Sequence, residues 1–573
     1  MISLSIFFGG FTSIYLYNNI NLLKDHVVED LESFSEELKI SAWNWTTTEV
    51  VSTESTDYSR GPTIAVDGSG NVHIAWTEGT KNGGSGMDVD IFYKRWNPTT
   101  ATWTTTEVVS TESTGDSRGP TIAVDGSGNV HIAWFGDANY GGSGSDNDIF
   151  YKRWNAATAT WTTIEVVSTE STDYSRDPTI AVDGSGNVHI AWDDVTNFNG
   201  SGTDGDIFYK RWNATTAAWT TTEVVSTEST VNSWCPTIAA DGSGNVHIAW
   251  TEGTKNGGSG TDQGIFYKRW NATTATWTTS EEVSTESTNY SCVQTLATDG
   301  SGNVHIAWND VPTGHGGSEL AWDIFYKRWN ATTATWTTSE EVSTGRSFYP
   351  TIAVDGSGNL HIAWYDITNY GGSGTDLDIF YKRWNATTAT WTTTEVVSTE
   401  STDNSYDPTI AVDGSGNVHI TWYDYTNYSG SGGDWDIFYK KFISSPLNPS
   451  IIINNGDAST NSALVTLTLS ADGAVEMCFR NGTTDAWTDW EPYTTAKQLY
   501  LEWSINNTEY SICVKFQNAA GETSPVCDSI LYLAEEGPPF VIIIAIIVAI
   551  AGGGLAVSIT TILLIRKRRR KVQ

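Results

Sequence analysis

Between residues 43 and 442 the chain alternates short apolar runs with polar turns, and the alternation repeats. The first copy holds four such runs: PTIAV (62–66), NVHIAW (71–76), DIFYKRW (90–96) and TWTTTEVVS (102–110). They are rich in β-branched and aromatic residues and bounded by turn-forming clusters, so each predicts a strand, here named A to D. DGSGN separates A from B and supplies the residues that tight turns need. Its Asp recurs at 67, 125, 183, 241, 299, 355 and 413, a period of 58 broken once by a step of 56. Fixed periods of this order mark repeat architectures. No run keeps a helical period, so the reading is all-β, with four antiparallel strands per repeat as in a propeller blade.

The ends of the array predict how it closes. The seventh strand C (437–442) has no strand D after it, while a lone strand D, WNWTTTEVVS (43–52), precedes the first strand A. The offset predicts a seven-bladed β-propeller over 42–445, closed by the N-terminal strand. Closure removes the sheet edges that invite aggregation.

The rest of the chain follows other patterns. Residues 446–534 alternate at period two in runs such as ALVTLTLSA and YSICVKF, which predicts a small β-sandwich. Residues 540–565 are 26 positions without a charge, enough to cross a membrane as a helix, despite Gly552, Gly553 and Gly554. A basic tail, 566–573, follows, so the positive-inside rule predicts a single-pass membrane protein with its C-terminus cytoplasmic and its bulk extracellular. Residues 1–22 read as a signal sequence or N-terminal anchor, although no basic residue opens them. Residues 23–41 carry Val27, Leu31, Phe34 and Leu38 at helical spacing and read as a helical spacer.

Charge and cysteine content narrow the partners. The formal net charge is −36, even with six basic residues in the tail. That balance excludes nucleic acid, whose phosphates demand Lys and Arg. The five cysteines cannot all pair. A Cys235–Cys292 disulfide is left open, as is one pair among Cys478, Cys513 and Cys527. Asn213, Asn271, Asn330 and Asn385 start N-x-T sequons at one equivalent turn and are glycosylation candidates.

Seven of the nine histidines belong to the repeat: His73, His131, His189, His247, His305, His361 and His419. Equivalent positions in adjacent sheets stand on the order of 10 Å apart, whereas ligands of one metal sit about 2 Å from it. The histidines are therefore expected to pack, no metal site is assigned, and no cofactor is implied. Calcium is the one ion the Asp-bearing loops would suit, though the full calcium-loop pattern is missing.

Function is expected where the copies differ, and they differ in the D–A and B–C loops, which share one face. Seven residues before the motif Asp stand Arg60, Arg118, Arg176, Trp234, Cys292, Phe348 and Tyr406. Arginines suit carboxylate or sulfate groups and aromatics suit sugar rings. In the B–C loops, Asp194, Asp310, Asp366 and Asp424 stand two residues after the motif Trp, beside aromatic residues.

The repeat resembles the sialidase-like, BNR or Asp-box propellers. The features that carry the resemblance are an inner strand of PTIAVD type, the strands VHIAW and IFY, and a final T-W. The Asp-box is eroded: W-N-A-T-T-A-A-W (212–219) keeps only its Trp. True sialidases have six blades, and seven are counted here. The resemblance implies a hydrolase with a Tyr nucleophile, a Glu base, an Asp acid and an arginine triad. "SRGP" is similar to the sialidase R-I-P motif at Arg60, and Arg118 and Arg176 occupy the same place. Those three positions are equivalent in neighbouring blades, which a sialidase triad is not. The 446–534 segment resembles an Ig-like or fibronectin-III-like module. The expected function is a membrane-anchored surface propeller that binds a glycan or a surface protein through its variable face. A sialidase-type glycoside hydrolase and a purely structural or adhesive coat protein stand as alternatives.

Overall fold

The computed structural model describes residues 45–79, 88–253, 263–287, 290–311, 322–370, 373–429, 431–443, 447–472, 474–482, 486–501, 507–518, 521–533, 549–551 and 554–556. Their regular structure is almost wholly strand. They fall into two compact units, Met1–Ser444 and Ser445–Gln573. The signal sequence or anchor over 1–22 and the spacer over 23–41 lie outside the described residues.

The first unit repeats one antiparallel sheet. In its first copy strand A is Ser59–Val66, strand B Val72–Glu78 and strand C Asp90–Asn97. The order is A-B-C-D, so A is one edge and D the other. Strand B is buried at every residue, which explains why VHIAW tolerates so little change. Strand D is not the single run expected over 102–110. It is two short pieces, Thr102–Trp103 and Glu107–Val108, both paired with C. Between them Thr104 Oγ1 accepts the Arg95 N–H (3.0 Å) while Thr104 N–H donates to Arg95 O (2.8 Å), so a side chain takes over one ladder bond.

The DGSGN turn is held by its own Asp. Asp67 Oδ1 accepts the N–H groups of Ser69 and Asn71 (both 2.9 Å), and Gly70 adopts φ +78°. The motif His is a buried brace: His73 Nδ1 meets Tyr93 Oη at 2.7 Å and Nε2 faces Asp67 Oδ2 at 3.4 Å. Burial pushes the imidazole pKa down, so the ring stays neutral. The same brace recurs at the other six histidines.

Seven such sheets are present among the described residues. Each strand A packs against strand A of the next sheet, and the last, Ser405–Val412, packs against the first, Ser59–Val66. Thr409 Oγ1 donates to Pro62 O across that junction (3.3 Å). The N-terminal segment Glu49–Val50 pairs with Tyr439 and Phe438 of the last strand C, and Trp45 bridges to Phe442. This is the edge the sequence left open.

Polar clamps join neighbouring sheets. Lys210, buried on strand C of the third sheet, donates to Val167 O (2.9 Å), Thr169 Oγ1 (2.7 Å) and Glu170 Oε2 (2.7 Å) of the second. On the outer edge the guanidinium groups of Arg95, Arg153, Arg211, Arg269 and Arg328 lie over the next sheet's Trp, as Arg95 does over Trp154 at 5.1 Å. Lys441 over Trp96 at 5.5 Å carries this belt from the last sheet to the first.

The second unit packs a three-stranded sheet (Leu447–Ile453, Leu464–Asp472, Ala496–Tyr500) against a six-stranded one centred on Thr508–Asn518. Ile453, Val465 and Leu467 of one sheet meet Phe479, Ile512, Val514 and Phe516 of the other in one core. A Cys513–Cys527 disulfide crosses two paired strands, and Cys478 is a free, buried thiol.

The helix expected over 540–565 is not what its described residues form. Ala549–Ala551 and Gly554–Ala556 pair as an antiparallel ladder, and no described helix is long and apolar enough to cross a membrane. Most of the 540–565 run lies outside the described residues.

Candidate functional site

The start of each strand A pairs with the end of its strand B, so the variable D–A and B–C loops lie at one end of every sheet. A buried carboxylate fixes that end. Asp194, fully buried, accepts Trp192 Nε1 (3.0 Å), Ser175 Oγ (2.7 Å), Ser171 Oγ (3.1 Å) and the Thr196 N–H (2.8 Å). Asp366 and Asp424 accept the equivalent Ser, Trp and Thr donors. Glu78 accepts the same Ser and Trp donors in the first sheet, and Asp310 in the fifth. The four predicted aspartates thus anchor the loops from beneath. The second sheet has Gly136 here, and it leaves Ser117 Oγ and Trp134 Nε1 buried without partners.

The ring that starts at Arg60 is split by the structure. Arg60 lies over the Tyr58 ring (5.0 Å) and the Trp435 ring (5.2 Å). Arg118 pairs with Asp116 (2.6 Å), and Arg176 lies over Tyr174 (4.7 Å). Each guanidinium is exposed and held by the residue two places before it. Trp234 covers Gly253 of its own sheet. Phe348 and Tyr406 instead meet a wider aromatic cluster. The Cys235–Cys292 disulfide is corrected: both thiols are free. They are offset by one position, because Cys235 has φ +50° and Cys292 occupies the residue before the equivalent bend.

That bend is the feature the sequence did not reveal. Every strand A carries a bulge after its second residue, and the third residue is left-handed. Gly61 and Gly119 suit this conformation, but the other sheets place Asp177, Cys235, Val293, Tyr349 and Asp407 there at φ between +45° and +51°. A non-glycine residue in this region costs on the order of 1 kcal/mol, more for a β-branched one such as Val293. Beside them, strand B presents Phe135, Asp193, Thr251, Asn309, Tyr365 and Tyr423. Asn309 fastens one sheet to the next, donating to Ser347 O (2.7 Å) and accepting the Tyr349 N–H (2.9 Å).

The charges of these residues act on one another between sheets. The Tyr349 phenol is raised in pKa by burial first, then by the charges of Asp407, Cys235, Cys292 and Asp177. Asp177 and Tyr349 belong to the third and sixth sheets, so the charge of one sheet is felt in another. Burial, the Asp177 charge and the Asp194 charge push Asp193 up to about 7, against a smaller opposing effect of Arg176. Burial raises Asp407 to about 6, partly offset by a hydrogen bond from Tyr423, and raises Asp177 against Arg176. Asp177 is exposed by area yet walled in by protein atoms. Burial also raises Cys235 to about 12 and Cys292 to about 11.

An aromatic arc runs along the same rim. Tyr349 stacks on Tyr365 (5.6 Å), Tyr365 meets Tyr406 edge-on (5.5 Å) and Tyr406 stacks on Tyr423 (5.5 Å). Tyr406, Tyr423 and Tyr425 each meet Trp435 edge-on at 5.3–5.5 Å, and Arg60 caps the far side of Trp435. The arc spans the sixth, seventh and first sheets. Tyr349 and Tyr425 keep 47% and 43% of their surface exposed. Among the described residues no group of three or more His, Cys, Asp or Glu is placed to hold a metal ion. Asn213, Asn271, Asn330 and Asn385 end their strands C, with each Oδ1 turned onto the following backbone N–H groups.

No family model matches the chain, and no curated protein matches it. Solved structures do. The chain is similar to a PL25 ulvan lyase bound to -[GlcA(1-4)Rha3S]-, at 12% identity over 68% of this chain and 95% of that one, with a TM-score of 0.44. It is similar to the polysaccharide lyase Uly1, at 12% identity over 67% and 90%, TM-score 0.44. It is also similar to a leech intramolecular trans-sialidase, at 12% identity over 69% and 70%, TM-score 0.36. At these identities and scores the likenesses carry no argument about what this chain binds.

Proposed function

We propose that the first unit is a seven-bladed propeller closed by its N-terminal strand, and that it binds a glycan on the face where its repeats differ. The aromatic arc from Tyr349 to Trp435 carries the reading. Its rings offer apolar faces and phenol hydroxyls side by side, the combination that suits a sugar ring's C–H face and hydroxyl edge. Aromatic and Arg side chains are also the groups that dominate binding surfaces. The arrangement favours binding over hydrolysis, because Arg60, Arg118 and Arg176 are each engaged by the side chain two places before them. In this reading the second unit is an Ig-like or fibronectin-III-like spacer. The uncharged run 540–565 and its basic tail support a membrane anchor that keeps both units outside the cell.

The test is a glycan array probed with the full chain and with Tyr406→Ala and Trp435→Ala variants. The reading expects a restricted set of bound glycans and a loss of about tenfold or more in each variant. No bound glycan, with the fold intact, would leave the structural coat reading instead. Release of sugar from a bound glycan would restore the hydrolase reading.

A further inference from the structure

We propose that the mouth of the ring recognises a protonated amine carried on a sugar, that is, an amino sugar whose nitrogen is not acylated. The inference rests on the glycan reading and names its ligand class. Three observations converge on it.

The first is placement. Asp177, Tyr349 and Asp407 occupy left-handed positions that two other sheets fill with glycine, so their side chains stand at the mouth at a steric cost. The second is chemistry. Tyr349, Tyr365, Tyr406 and Tyr423 form a continuous aromatic wall, and Asp177, Asp193 and Asp407 supply carboxylates beside it. Aromatic faces joined to carboxylates form the cage that selects ammonium groups. The third is missing compensation. Asp193 Oδ1 is buried without a hydrogen-bond partner. Arg176, on the neighbouring strand, lies over Tyr174 and offsets the burial of Asp177 and Asp193 only in part. Arg60 sits at the Trp435 end of the arc. A ligand ammonium would supply the positive charge these carboxylates lack, and the aromatic arc beside them would hold its sugar ring.

Isothermal titration calorimetry of the full chain with a glucosamine oligosaccharide and its N-acetylated counterpart tests this directly. The free-amine form should bind about tenfold tighter or more. The preference should collapse in Asp177→Asn/Asp407→Asn and persist in Asp57→Asn, an exposed carboxylate of a D–A loop. Equal or tighter binding of the N-acetylated form overturns the inference and leaves the glycan reading standing. Binding of neither form overturns both. A second measurement needs no ligand. Cys235 lies within the field of Asp177 and Asp193. A trimethylammonium methanethiosulfonate reagent should therefore modify it several-fold faster than the sulfonate analogue does, read by peptide mass spectrometry. Equal rates in the wild-type chain would overturn the inference even if the double variant failed to fold.

Discussion

Closure by the N-terminal strand can be tested with one methyl-scale change. Val51 is fully buried and packs with Val72, Ile74 and Trp76 of the first sheet and Ile437 and Tyr439 of the last. It occupies the place that Val109, Val167 and Val225 hold in strands D that follow their own sheets. Val51→Ala removes two methyl groups, worth roughly 1.6 kcal/mol in transfer and about 2–3 kcal/mol once the cavity is included. In a unit of this size that corresponds to a fall in Tm of about 2–4 °C. Val225→Ala, inside the continuous chain, should lower Tm by the same amount. The assay is differential scanning calorimetry of the two variants beside wild type. If Val225→Ala lowers Tm and Val51→Ala leaves it unchanged, the N-terminal strand does not close the ring.

Three further outcomes follow from the same structure. Asp378 opens a strand C with one oxygen held by Ser398 and the other buried without a partner, and burial raises its pKa to about 6. The unfolded carboxyl titrates near 4, so the folded state is penalised as pH rises from about 4 through about 6. Asp378→Asn should therefore gain on the order of 1–2 kcal/mol over wild type at pH 7.5 and little at pH 4.5, read by chemical denaturation at both values. Glu170→Ala should cost roughly 1–3 kcal/mol in the same assay, because it leaves the buried Lys210 ammonium short of its counter-charge. The exposed-loop variant Asp57→Ala serves for comparison and should be near neutral. Reduction of Cys513–Cys527, whose cysteines stand 14 residues apart, should cost about 3 kcal/mol and shift only the calorimetric transition of the second unit.

Much of the scaffold was legible in the repeat. The strands around VHIAW, the turn at DGSGN and the unpaired strand D at residues 43–52 all follow from apolar spacing and turn chemistry. The break in strand D was not, because Thr104 reads as one more β-branched residue until its hydroxyl is seen replacing a ladder bond. The inner ring was hidden for a backbone reason. Sequence alignment of the copies shows Gly, Gly, Asp, Cys, Val, Tyr and Asp at one position, but only the structure reveals that this position is a left-handed bulge. The partners of the arginines, by contrast, were within reach. Tyr58, Asp116 and Tyr174 stand two residues before Arg60, Arg118 and Arg176, and residues at that spacing share one side of an extended chain. The helix over 540–565 was inferred from hydropathy, and most of that run lies outside the described residues.

Hydroxyl-radical footprinting of the full chain, with and without the tightest-binding array oligosaccharide, tests the central claim most directly. Ligand should protect Tyr349, Tyr406, Tyr425 and Trp435 and leave Trp103, Trp161 and Trp219, on the outer strands, as reactive as before. Protection of those outer tryptophans with the arc unchanged would contradict the assignment of function to the variable face.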